Sequence, residues 1–301
     1  LDAVERSVVT GVRTIAVEMT SLALAGGVAR RWRPHVAVFT NLTRDHFDYH
    51  PSPEAYLASK AQLFVALREG ETAVLSADDP SSALLEEVLA PGVVAKRFAL
   101  ESDAQLTARE ITITRAGTTF STRSSVDPEL DGLSLTLPAI GAHHVGNALA
   151  AMLATRTLGY DARAMERGLE GFTSVPGRFE VVSAEPLVVV DYAHTPDGLE
   201  KTLATARLLA RGKGTLVCVL GCGGERDRGK RPLMGAVAHR LADRVWLTSD
   251  NPRREDPGVI ARAIRSGAVG EGARWSEQLD RRAAIGEAIA ACGPDDVVVI
   301  A

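Results

Sequence analysis

Short apolar runs that stop abruptly in polar clusters recur along this chain, and they restrict its fold more than any other feature. Val36, Ala37, Val38 and Phe39 form one such run. Consecutive apolar residues without alternation read as a strand covered on both faces. The run ends in Thr40, Asn41, Thr43, Arg44, Asp45, His46, Asp48 and His50. Ionisable groups just past such a strand lie where open α/β sheets bind ligands. Ser52-Pro53-Glu54 then supplies an N-cap, a proline at the first helical position and an acid in the first turn. In the helix that follows, Leu57, Lys60, Phe64 and Leu67 share one face by their spacing of three and four. Lys60 therefore sits in an apolar stripe, where an ammonium is costly unless it is paired or chemically altered. An ion pair with Asp45 or Asp48 is the plain way to meet that cost.

The same grammar runs through the rest of the chain. Thr14 to Met19 reads as a buried strand, with Glu18 near its end as a metal ligand or, on the residue alone, more readily a helix cap. A helix over about Leu22 to Trp32 leads to the run already described, and the strand Thr72 to Ala77 precedes Asp78-Asp79-Pro80. Strand and helix in alternation predict a parallel sheet with helices on its faces. From Leu106 to Leu137 the texture becomes alternating and Thr-rich, which predicts an appended small antiparallel sheet. Gly141 to Asn147 opens a helix to about Leu158; His143 and His144 there are either ligands or ordinary helix-start contacts. The loop Phe172 to Arg178 is the expected boundary between domains at 1–177 and 178–301.

A second alternation follows, with strands at Leu187 to Asp191, Thr215 to Leu220, Arg244 to Thr248 and Val297 to Ile300. Asp191, Tyr192, His194 and Asp197 cluster after the first of these, and Ser249 to Arg253 after the third. Gly221 to Pro232, between them, reads as an anion site: glycines admit a ligand to the backbone, and Arg and Lys supply charge. Neither GxxxxGK[ST] nor GxGxxG is present. The last run stops where a further carboxyl-end loop is expected, which reads as truncation.

At 301 residues, 46% apolar and 24% charged, the chain reads as two ordinary globular domains. A net charge of -4 argues against a nucleic-acid binder. Cys218, Cys222 and Cys292 lack zinc-ligand spacing and suit a reduced, cytoplasmic protein. No run approaches transmembrane length, so no membrane role is expected. No signal peptide is visible, and an opening on Leu1 leaves room for a missing N-terminal region.

Five stretches in order carry a resemblance: TNLTRDHFDYH with Lys60 downstream, VPGRFE, VDYAHTPDGL, GCGGERDRGKRPLMG and SDNPRREDP. Together they resemble the Mur ligases, the ATP-dependent amide ligases of bacterial peptidoglycan synthesis. The resemblance implies a central P-loop-type ATPase domain, with a parallel sheet and a small antiparallel one, and then a Rossmann-like C-terminal domain. It implies ATP and Mg²⁺, a UDP-MurNAc-dipeptide and a diamino acid as substrates, and a monomer. By position it makes Glu18, His46 and a carbamylated Lys60 ligands of Mg²⁺, with Lys60 and His46 catalytic. Asn41 and Asp45 become support for nucleotide and metal, and Asn147 the adenine contact. Arg178 and Asp191, with Tyr192 and His194 beside them, become nucleotide contacts at the domain junction. Arg226, Asn251 and Arg253 become the pocket for the incoming amino acid. Arginine after Asp-Asn-Pro goes in the family with meso-diaminopimelate, whose distal carboxylate a guanidinium holds bidentately.

The chain also departs from the family. Glu18-Met19-Thr20-Ser21-Leu22 stands where Glu-Val-Ser-Ser-His is usual, and His143-His144 where Phe-Asn is usual. The P-loop, the UDP-binding domain and the Gly-Lys-Gly-His-Glu after the last strand are not in this sequence. A ligase with another amino acid or acceptor, a folylpolyglutamate synthase-like enzyme and a non-catalytic relative are the competing readings.

Overall fold

The computed structural model describes residues 12–301. Helices α1 (Ser21–Ala25) and α2 (Val28–Arg31) precede β1 (Val36–Phe39). With β2 (Thr72–Ser76), β3 (Val94–Ala99), β4 (Leu106–Thr114), β5 (Gly117–Ser124) and β6 (Ser134–Leu137), β1 forms a six-stranded sheet in chain order. The first four strands run parallel, with Val36 opposite Thr72 and Phe39 opposite Leu75. β5 and β6 return antiparallel. β2 is buried along its whole length, which is why its sequence shows no alternation. Helices α3 (Pro53–Val65) and α4 (Ser81–Glu87) cover one face, setting Phe64 and Leu85 on Ala37, Phe39, Ala73 and Leu75. Helices α5 (Ala142–Thr157) and α6 (Ala162–Glu170) cover the other, packing Leu149, Met152 and Met165 with Val74, Phe98, Leu106 and Phe120.

A second six-stranded sheet holds β7 (Glu180–Ala184), β8 (Leu187–Val190), β9 (Leu216–Leu220), β10 (Arg244–Leu247), β11 (Arg274–Glu277) and β12 (Val297–Ile300). Their order is β11-β10-β9-β12-β8-β7, parallel except for the edge strand β7. The final strand thus enters at the centre, between β8 and β9, and its valines are fully buried. Helices α7 (Pro196–Leu209), α8 (Lys230–Leu241) and α9 (Pro257–Arg265) build one hydrophobic layer, through Leu199, Leu203, Met234, Ile260 and Ile264. Helix α10 (Arg281–Ala290) covers the opposite face with Ala284 and Ala288. The two sheets meet in a packed boundary. Ile140 lies in the second core with Ile113 against it, and Arg115 donates to the Leu209 carbonyl at 2.9 and 3.1 Å.

Four expectations change. Residues 14–19 form no strand; Ile15 and Val17 are exposed and Glu18 lies in irregular chain. An apolar run becomes a strand only when a ladder partner and a covering layer meet it. The single helix expected over Leu22 to Trp32 is two short helices, broken at Gly26-Gly27, where Gly27 takes φ 79°. The antiparallel segment is not an appended sheet: β3 was not foreseen, and it joins β4 to the parallel strands. β7 and β11 were also missed, because both are short, half-exposed edge strands with little apolar signal. No helix among the described residues is long and apolar enough to cross a membrane.

Helices α8 and α9 approach closely at Gly235, where a Cβ would lie 1.9 Å from the Ile264 carbonyl oxygen. Alanine for glycine inside an exposed helix normally gains about 1 kcal/mol. Here the clash reverses the sign, and Gly235→Ala should cost about 1–3 kcal/mol, read as a lowered urea midpoint. An unchanged or raised midpoint would disprove this account of the contact.

Candidate active site

The loop after β1 is fastened at both ends and presents its ionisable groups between the sheets. Leu42 N donates to Asp79 Oδ2 at 2.5 Å, tying the loop to the end of β2. His46 takes a left-handed backbone (φ 58°), and its N–H donates to Asp45 Oδ1 at 2.8 Å. Asp45 Oδ2 faces His46 Nε2 at 3.4 Å and His194 Nε2 at 3.1 Å. His194 Nδ1 in turn lies 3.0 Å from the Tyr192 carbonyl oxygen. With an acceptor at each ring nitrogen the imidazolium is favoured. The hydrogen bond to Asp45 accordingly lifts His194 above 6.5, against the pull of burial. Burial alone would raise the Asp45 carboxyl; the hydrogen bond and charge of His194 and the His46 N–H outweigh it and hold Asp45 at about 2.

Behind this loop, Lys60 Nζ lies 5.0 Å from the centre of the Tyr56 ring, which stacks on His50 at 5.1 Å. His50 Nε2 meets Ser21 Oγ at 2.9 Å, so the shelf beneath the site is hydrogen-bonded. Burial lowers the Lys60 pKa, while the charges of Asp45 and Glu18 oppose that shift. Glu18, Asp45 and Lys60 are therefore within electrostatic reach of one another. The plain ion pair is not formed: Asp45 pairs with His46 and His194, and Asp48 with Arg226. Among the described residues no three His, Cys, Asp or Glu side chains make a preformed metal cage. A Mg²⁺ site uses one or two carboxylates and completes its shell with water and phosphate oxygens. Glu18 and Asp45 are the oxygen donors present, and a carbamate on Lys60 would add another.

Three polar contacts cross from this loop to the second half of the chain. One is His194 to Asp45. Arg44 Nε and Nη2 donate to both oxygens of Asp227 at 3.0 and 3.2 Å. Arg226 Nη1 donates to Asp48 Oδ2 at 2.9 Å. Arg226 belongs to the loop between β9 and α8; Asn251 and Arg253 belong to the neighbouring loop after β10. Gly224 N donates to the Asn251 carbonyl at 3.1 Å, and Arg253 Nη1 to the Gly224 carbonyl, so these two loops are joined.

The remaining nucleotide candidates divide. The Arg178 guanidinium lies 5.2 Å from the centre of the exposed Tyr192 ring, whose own neighbour is His194 at 4.9 Å. Asp191 spends both oxygens within the chain, on Phe179 N at 2.7 Å and Thr202 Oγ1 at 3.0 Å. Asn41 and Asn147 are exposed. One turn before Asn147, the rings of His143 and His144 lie 4.1 Å apart, and burial first of all brings both to about 4, keeping them neutral.

Comparison with known proteins settles the family. Residues 2–155 match the Mur ligase middle domain, and residues 177–301 match the Mur ligase glutamate ligase domain. The chain belongs to the Mur ligase family. It is 42% identical over 297 residues to the UDP-N-acetylmuramoyl-L-alanyl-D-glutamate–2,6-diaminopimelate ligase of Acidovorax sp. strain JS42, covering 97% of this chain and 58% of that protein. A solved structure of a ligase with the same name is 35% identical with a TM-score of 0.61, covering 94% of this chain and 57% of that one. The MurF ligase of Thermotoga maritima in complex with ADP shares the fold, at 19% identity and a TM-score of 0.71, over 94% of this chain and 61% of that one. The chain thus spans somewhat over half the length of these relatives.

In this chain, sequence reasoning gave no individual role to Arg44, Asp227 or Glu255, and to Arg231 only a share in the charge of an anion site. Their only signal is charge in the stretches that follow β1, β9 and β10, and their pairings are long-range. Arg44 and Asp227 are 183 positions apart, which no local spacing rule can connect. Both side chains serve one bidentate contact, so a double-mutant cycle of Arg44→Ala and Asp227→Ala should give a coupling of about 0.5–1 kcal/mol. Chemical denaturation is the measurement, and the coupling should shrink in about 1 M salt. Zero coupling at low salt would remove this pair as a link between the halves.

Proposed function

We propose that the protein is an ATP-dependent amide ligase that adds meso-diaminopimelate to UDP-MurNAc-L-Ala-D-Glu. The observation that carries this reading is the reach of Arg226 across to Asp48, which sets the Arg226–Arg253 loops against the loop of Asp45 and His46. In this reading the residues assigned to one reactant stand against the groups that manage charge for the other. The names of the relatives above favour the same reaction. We also place the domain boundary at residues 172–178 and read the enzyme as a cytoplasmic monomer; Cys218, Cys222 and Cys292 are free thiols.

A carboxylate is a poor electrophile, so the chemistry starts by transferring the γ-phosphoryl group of ATP to the terminal carboxylate of the acceptor, with ADP as the leaving group. The amine of the incoming amino acid attacks the acyl phosphate, and the tetrahedral intermediate expels phosphate. Catalysis is then mostly positioning and charge neutralisation. Mg²⁺ supplies Lewis-acid neutralisation of phosphate charge, held by Glu18, His46 and Lys60 as its carbamate. The depressed pKa of Lys60 enlarges its neutral fraction. The neutral amine is the form that adds CO₂, losing a proton to leave a carbamate anion. Asp45 and Asn41 support that centre. Arg178, Asp191, Tyr192 and His194 form the junction wall for the nucleotide, with Asn147 toward the base. Arg226, Asn251 and Arg253 hold the amino acid. A second reading, with another acceptor or amino acid, draws on Leu22 and His143-His144 replacing the family's usual residues.

Lys60→Ala should abolish amide formation in the full-length enzyme, with partial return on adding a short carboxylic acid. Full activity of the alanine variant would make Lys60 scaffolding. The amino-acid assignment has its own test. A carboxylate facing Arg253 gains a charge-assisted pair of roughly 1.5–3 kcal/mol, about one to two orders of magnitude in affinity. Lysine brings an ammonium to the same guanidinium and is repelled. The kcat/KM for meso-diaminopimelate should exceed that for L-lysine, and Arg253→Ala should narrow the ratio chiefly by weakening diaminopimelate. Equal use of the two amino acids by the wild type would sink the assignment.

A further inference from the structure

The two loops that carry Arg226, Asn251 and Arg253 hold an unusual backbone. Glu225 (φ 52°), Asn251 (φ 46°) and Arg253 (φ 53°) are all left-handed without being glycine. Such conformations are unfavourable for residues with a Cβ and persist only where surrounding contacts over-determine them. The loops also touch at a point with no room to spare, since a Cβ on Gly224 would lie 1.9 Å from the Pro252 carbonyl oxygen. Some interaction must hold this approach.

Glu255 supplies it. Its Oε1 accepts the Glu225 N–H at 2.5 Å and Arg231 Nη2 at 2.9 Å, while Oε2 accepts Arg231 Nη1 at 3.0 Å. Arg228 Nη2 stands 3.4 Å from Oε2. Arg231, in the first turn of α8, is only 2% exposed and also reaches the Gly223 carbonyl at 3.3 Å. One carboxylate from the second loop thus holds the backbone of the first loop, one residue before Arg226. It does so on a buried guanidinium that contacts the same loop. Hydrogen bonds from Arg231 and from the Glu225 N–H keep the Glu255 carboxyl at about 2, so it is an anion throughout the working range.

We propose that Glu255, seated on Arg231, is a positioning residue that sets the spacing of Arg226 and Arg253 and thereby the selection of the incoming amino acid. The inference rests on the assignment of those two arginines to the amino-acid pocket. Every partner of Glu255 in this cluster is a donor, so glutamine, which turns an NH₂ toward one of them, cannot replace it. Aspartate keeps the charge but is one methylene short.

The test uses the full-length enzyme and three variants: Glu255→Gln, Glu255→Asp and Arg231→Lys. In Glu255→Gln the KM of the amino acid that the wild type uses should rise about tenfold or more, the loss of one charge-assisted contact. The KM values of ATP and UDP-MurNAc-dipeptide should stay within about twofold, because uniform binding is lost in one pocket only. Discrimination between diaminopimelate and lysine should fall together with that rise, and Glu255→Asp should be intermediate. Arg231→Lys, which loses the fork, should resemble Glu255→Gln. Hydrogen exchange should speed up at the amides of Gly224 and Glu225, with the strands of both sheets still protected. An unchanged KM for the amino acid, or an equal rise for all three substrates, would overturn the inference. A wild type that uses an amino acid other than diaminopimelate would refute the substrate assignment alone, since the same comparison on that amino acid still decides the role of Glu255.

Discussion

Parallel strands cannot connect at one edge: each must be followed by a crossover, so every loop leaving a strand's carboxyl end emerges on the same side of the sheet. That constraint organises this member of the Mur ligase family. The loops after β1, β8, β9 and β10 carry most of the assigned groups, with Lys60 on α3 and Asn147 on α5 among those outside them. The apolar strands beneath them carry none, but they fix where the loops begin. β2 in the first sheet, and β9 and β12 in the second, are buried along their length.

Placing two such edges face to face creates what neither sheet holds alone. Asp45 gains its strongest partner, His194, from the other half, and Asp48 gains Arg226. The consequences are electrostatic. Asp45 is kept ionised and His194 is biased toward the imidazolium, although both are partly removed from water. Among the described residues Lys60 gets no such partner. It rests over Tyr56 and feels Asp45 and Glu18 only through space, which leaves its ammonium disfavoured by burial. An amine in that position is one that chemistry can change, and the contrast between the satisfied Asp45 and the unsatisfied Lys60 is the centre of the proposed mechanism.

Much of this was legible in the sequence wherever the signal is local. Seven apolar runs were read as strands. Those from β1, β2, β8, β9, β10 and β12 are strands in the structure, and the cap Ser52 begins its helix through its own side chain, whereas Thr20 caps the helix for which Glu18 was the expected cap. The run at 14–19 shows the limit of such reading: its composition matches β2, yet it lies in the open with Val17 exposed. Edge strand β11 carries too few apolar residues to be seen, β7 is short with its two valines exposed, and β3 hides its role because Lys96 and Arg97 interrupt it.

The sequence by itself determined the alternation of strand and helix, the loops that end in ionisable residues, and the family those loops resemble. Each of these depends on neighbours within a few positions, where backbone geometry and side-chain period act directly. Tertiary structure alone decided which loops face one another. Arg44 meets Asp227, Arg226 meets Asp48, and Glu255 meets Arg231 because sheet order and helix packing bring distant segments together. A charge in a sequence has many possible partners; the fold chooses one by geometry, and only then do its pKa and its role become definite.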